Sequence, residues 1–188
     1  GFGTPASQVF PAGLPGTSAL LKPGKPDMDR ARKLLAEAGY PDGFRLVLAG
    51  PAGRYPGDSE TLQAVAQSWA RIGVTVQPQA VPFSVFNTKR AAGEYAIWYG
   101  GTSGESVDTI LNALLASPDQ ASGTGALNFG HYRNPAFDAM LAKASGMMSG
   151  TDRDTALASA PELVLADFPL IPLYHFHPVH GYGPRAAR

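Results

Sequence analysis

The segment Trp98 to Asp108, WYGGTSGESVD, holds the densest set of groups in this chain able to handle a small molecule. Trp98 offers a flat apolar wall, and Thr102, Ser103 and Glu105 supply hydrogen-bond donors and acceptors. Gly100, Gly101 and Gly104 let a backbone approach closely, since no Cβ stands in the way. An ordinary strand-to-helix loop ending in a hydroxyl cap is the alternative reading of the same residues. A second candidate is Arg54 beside Tyr55. Such a pair can grip a carboxylate through two parallel N–H bonds and stack on a planar group, or simply form a solvated loop with a half-buried ring.

Metal and nucleophile chemistry find less support. His175, His177 and His180 form H-x-H-x-x-H. On a strand the first two share a face, so two imidazoles could meet one ion. No carboxylate or cysteine nearby completes a set, and no metal site is expected. Ser103, His131 and Asp108 can be written as a triad, but Gly101-Thr-Ser-Gly104 is not the G-x-S-x-G elbow of a strand-to-helix nucleophile. No glycine-rich loop ends in Lys-Ser or Lys-Thr. A serine-type hydrolase and a free-standing interaction domain remain the alternatives to a binding protein, and no cofactor is expected.

The elements that must position these residues alternate between strand and helix. Asp27 can cap a helix carrying Ala31, Leu34, Leu35 and Ala38 on one face, with Gly39 closing it. Phe44 to Ala49 reads as a strand, and Gly50 to Asp58 as the loop bearing Arg54 and Tyr55. A helix from Ser59 to Ile72 presents Leu62, Val65, Ala66, Trp69 and Ile72, and a strand spans Val74 to Val81. Ser84 to Ala92 reads as a short helix, and Tyr95 to Tyr99 as an aromatic strand leading into the glycine-rich turn. Helices follow from Ser106, from Asn134-Pro135 and from Thr151, the last kinked or split at Pro161. Leu170 to Phe176 reads as a final strand. Alternation of this kind makes an α/β fold.

The chain has 188 residues, 44% hydrophobic and 16% charged, enough for a folded core at this length. Lys plus Arg and Asp plus Glu number 15 each, so no basic field exists to attract nucleic acid. Cysteine is absent, which excludes disulfides and thiolate chemistry. No apolar run is long enough to span a bilayer. The opening GFGTPASQVFPAGLPG lacks the charged start and apolar run of a signal peptide. Three stretches are expected: an irregular proline- and glycine-rich lead-in over 1–26, an α/β body over 27–176, and a tail over 177–188.

The wording of Asp29 to Phe44, DRARKLLAEAGYPDGF, resembles the extracellular solute-binding proteins, family 5, which serve peptide-type ABC importers. A-x-x-W-x-R-I-G-V-T-V at residues 66–76 and NFGHYRNP at 128–135 are similar to further blocks of that family. The likeness runs from about Gly3 to Tyr174. It implies a lobe of the type II periplasmic-binding-protein fold, a mixed sheet flanked by helices. It implies that this chain is the C-terminal lobe, with the N-terminal lobe and a signal peptide upstream, and a periplasmic location. Its implied partners are a small solute, peptide or peptide-like, and an inner-membrane permease. The ligand residues it implies are Arg54, Tyr55, Trp98, Gly101, Thr102, Ser103, Glu105 and Asn128, with Asn128 reaching a cleft. In peptide-binding members an aspartate commonly stands where this chain has Gly101, and it pairs with the peptide ammonium. Glu105 or Asp108 is left as the substitute.

Overall fold

The structure, a computed structural model, describes residues 3–104, 106–148 and 150–177. In chain order its elements begin with β1 (Gly3–Pro5), α1 (Met28–Glu37), β2 (Arg45–Ala52), α2 (Asp58–Ala70), β3 (Thr75–Pro82), α3 (Phe83–Ala91) and β4 (Ile97–Trp98). Helices α4 (Val107–Leu115), α5 (Pro135–Ser145), α6 (Thr151–Ala158) and α7 (Ala160–Leu165) follow, before β5 (Tyr174–Phe176). They form two compact units. One holds Lys25–Ser103; the other joins the described residues up to Gly24 to those from Gly104 onward.

The Lys25–Ser103 unit is built on a parallel sheet in the order β3-β2-β4. Asp27 starts α1 by accepting from the Arg30 amide at 2.9 Å, which satisfies one of the free donors of the first turn. Gly43, at φ +75°, turns the chain into β2; a Cβ there would lie 2.0 Å from the Gly73 carbonyl oxygen, so only glycine fits. Strand β2 runs between its two neighbours, and Leu48 to Pro51 are buried. Leu62 of α2 packs over Gly50 and is 1% exposed. Proline at 78 and 82 is tolerated because β3 lies at the sheet edge.

The other unit is mostly helical. Val107, Leu111 and Leu115 of α4 meet Phe137 and Leu141 of α5, Leu157 of α6, and Ala160 and Val164 of α7 in one core. Asn134 caps α5, accepting from the amides of Ala136 and Phe137. The helical run from Thr151 breaks between Ala158 and Ala160, where Pro161 sits in the first turn of α7.

Several features depart from the sequence reading: β2 runs on to Ala52 into the stretch read as loop, and β4 is only Ile97–Trp98. The apolar stripe of α1 is not buried: none of its residues is, and Leu34 is 54% exposed. The helix is instead tied by a polar contact, Arg32 donating to the Arg71 carbonyl at 2.8 Å. The lead-in is not wholly irregular. β1 pairs antiparallel with β5, and buried Gln8 and Ser18 exchange hydrogen bonds of 2.8 and 3.0 Å. The last strand begins at Tyr174 rather than Leu170, because Pro169 and Pro172 interrupt the run before it.

Candidate functional site

The loop after β2 takes its shape from Asp58. This carboxylate, almost wholly buried at the start of α2, accepts from the amides of Arg54 at 2.9 Å, Tyr55 at 3.2 Å and Ser59 at 2.8 Å. Burial alone raises its pKa; the surrounding backbone amides outweigh that and hold it below the usual carboxylate value. A charged carboxylate at the first position also suits the positive end of the helix. The same bonds fix the backbone of Arg54 and Tyr55.

From there Tyr55 reaches the glycine-rich turn after β4. Its hydroxyl donates to the Gly101 carbonyl at 2.9 Å. A Cβ on Gly101 would lie 3.1 Å from the Tyr55 ring, and one on Gly100 would lie 3.1 Å from the Trp98 ring. Gly100 and Gly101 thus each lie flush against a ring, too close for a larger residue unless that ring shifts. Tyr99 meets Tyr55 edge-on, with centroids 6.1 Å apart. Thr102 and Ser103 continue the turn and are exposed.

Two guanidinium groups stack on rings of this unit. The Arg54 guanidinium carbon lies 4.9 Å from the Phe83 centroid and 5.8 Å from that of Tyr55. That of Arg90 lies 5.0 Å from Trp98 and 5.2 Å from Phe86. Burial pulls the Arg90 pKa down, and Tyr55 partly offsets this. The structure therefore brings Arg54, Tyr55, Trp98 and Gly101 together, with Thr102 and Ser103 adjoining. One face of the Trp98 ring carries Arg90.

Sequence reasoning passed over Phe83, Phe86 and Arg90. The available signal was spacing: Phe86 and Arg90 stand four apart on α3, where side chains meet on one face.

Other predicted residues lie elsewhere. Asn128 belongs to the other unit and is 6% exposed. Its amide nitrogen donates to the carbonyls of Ala116 and Tyr132, each at 2.8 Å, and its oxygen accepts from the Tyr132 amide. Its side chain braces its own loop, as a buried amide must satisfy its polar atoms. Glu105 lies outside the described residues. Asp108 is paired with Arg153, so its carboxylate already has a cation. On β5, His175 has a lowered pKa from burial and from neighbouring His177; His180 lies outside the described residues. Among the described residues no group of three potential metal ligands occurs.

The family model described as bacterial extracellular solute-binding proteins, family 5 Middle, matches residues 1–122. The chain belongs to this family. Heme-binding protein A of Haemophilus influenzae is 28% identical over 100% of this chain and 34% of its own length. Glutathione-binding protein GsiB of Escherichia coli K12 is 28% identical over 92% of the chain and 34% of its own. Among solved structures, HbpA2 from Haemophilus parasuis superposes with a TM-score of 0.81 at 30% identity, over 94% of this chain and 35% of that one. The periplasmic binding protein DppA from Helicobacter pylori, in complex with peptide STSA, gives 0.81 at 26% identity over 92% and 33%. The fold is thus the α/β fold of the family 5 periplasmic binding proteins. The chain spans about a third of the length of the relatives it matches.

Proposed function

We propose that the full-length protein is the substrate-binding component of an ABC importer, working in the periplasm, and that this chain is its C-terminal lobe. In this reading it captures a small polar solute, peptide or peptide-like, between two lobes and delivers it to an inner-membrane permease. The carrying observation is the turn at Gly100–Gly101, set against Tyr55 and Trp98 and flanked by Arg54, in a chain of the solute-binding family. Relatives named for heme, deoxycholate and glutathione differ widely in ligand, so the class of solute rests on this chain's own side chains. Arg54 supplies a cation for an anionic group, Tyr55 an aromatic wall, and Thr102 and Ser103 exchangeable hydrogen bonds; Glu105 is the acidic candidate of the same turn. Trp98 supports the turn through its ring.

No bond of the solute is made or broken in this scheme. The pairing of Asp108 with Arg153 argues against a triad of Ser103, His131 and Asp108, which would need that carboxylate on the histidine. Mass spectrometry of solute recovered after long incubation with the full-length protein tests the proposal. Recovery unchanged is the expected result, and chemical conversion beyond protein-free controls would overturn it.

A further inference from the structure

Arg54 is held by rings rather than by an acid. Its guanidinium carbon lies 4.9 Å from the Phe83 centroid and 5.8 Å from that of Tyr55, and among the described residues no ion pair includes it. The one carboxylate of its loop, Asp58, gives its oxygens to the amides of Arg54, Tyr55 and Ser59. The distinction matters chemically. A carboxylate partner would use up the N–H donors at the edge of the guanidinium. A ring engages only its flat face and leaves those in-plane donors for another acceptor. Phe83 itself opens α3 and is 40% exposed, so burial does not account for a large ring there, whereas a stacked cation does.

We propose that Phe83 is a positioning residue for Arg54, holding the guanidinium flat so that its donors stay available to an oxyanion on the solute. This rests on the solute-binding reading above. The ring restricts a long side chain before the ligand arrives, which lowers the ordering cost of binding. Phe83 touches Arg54, and its effect on the solute passes through that contact.

The test is nuclear magnetic resonance of the arginine Nε–Hε groups in the full-length protein, with benzoate and benzamide as probes. In the natural protein the Arg54 group is expected to be ordered, to shift with benzoate and to ignore benzamide. Phe83→Leu should make it mobile and weaken benzoate about two- to fivefold, the scale of an exposed cation–π contact. Phe83→Trp should restore both order and affinity. Equal order and equal benzoate affinity in Phe83→Leu would overturn the proposal. So would a benzamide response equal to that of benzoate, or no benzoate response at Arg54 in the natural protein. Chemical conversion of a solute would overturn the binding reading instead and leave these signals unchanged.

Discussion

The Tyr55 ring crowds the point from which a side chain on Gly101 would start. Its hydroxyl donates to the Gly101 carbonyl at 2.9 Å, and its ring lies 3.1 Å from the ideal Cβ position. A carboxylate at position 101 is therefore missing twice over: the residue is glycine, and the adjoining volume is filled by an aromatic ring.

This relationship predicts indifference to a peptide ammonium. Calorimetry on the full-length protein, with short peptides and their N-acetylated forms, should show less than a tenfold difference in affinity, about 1.4 kcal/mol. A larger loss on acetylation would mean that another acid, Glu105 foremost, holds the ammonium. Gly101→Asp alone should not create the preference, because Tyr55 occupies the space; Gly101→Asp with Tyr55→Ala should do better.

Asp58 predicts an acid-sensitive loop. Its folded pKa lies below the ordinary 3.8, so its charged form is favoured on folding. That stability is fully present above about 3.8 and is lost as pH falls through the lower folded value. Denaturant titrations between pH 3 and pH 7 should show Asp58→Asn less stable than the natural protein at pH 7, and the gap should narrow toward pH 3. A gap that stays constant with pH would exclude this account.

His175 predicts an effect in the same direction. Its folded pKa is depressed below 6.5 by burial first and by His177 second. Protonation is thus favoured on unfolding, and the contribution is present above 6.5 and lost as pH falls through the folded value. Base-catalysed exchange slows as pH falls, so amide hydrogen exchange at the β1–β5 pairing should slow less between pH 7 and pH 5 than that chemistry alone requires, an excess that reports opening of the pairing. His175→Phe should remove that excess; an unchanged profile would count against it.

Phe137 predicts the core. It is fully buried among α4, α5, α6 and α7, and Phe137→Ala should cost about 3–5 kcal/mol, read as a shift in denaturation midpoint. Leu34→Ala on α1 should cost far less, since Leu34 is 54% exposed. Similar losses at the two sites would show that the α1 stripe is covered after all.

What the sequence disclosed follows from how local each signal is. The Asp27 and Asn134 caps, the break at Pro161 and the β2–α2–β3 alternation depend on neighbours a few residues away, and the structure has all of them. Arg54, Tyr55 and the glycine turn could be nominated by residue type, but the hydrogen bond from Tyr55 to Gly101 joins positions 46 apart and leaves no trace in either segment. Asn128 is ambiguous for a related reason. An asparagine in a glycine-rich loop reads equally as ligand contact or brace, and the bonds to the Ala116 and Tyr132 carbonyls that make it a brace leave no trace in the sequence. The α1 stripe misled because periodicity reports a capacity for burial, whereas burial itself needs an opposing surface.

The discontinuity of one unit bears on the order of events during synthesis. Lys25–Ser103 is continuous in the chain, whereas the residues up to Gly24 wait for those from Gly104 onward. At roughly 5–20 residues per second, the ribosome exposes every partner within the continuous unit several seconds before β5 emerges to meet β1. The nascent chain would therefore carry β1 without its partner β5 across that interval, while every residue of the continuous unit is already available to fold. Proteolysis of stalled nascent chains should find the stretch around Arg54 protected while Gly3–Pro5 is still cut.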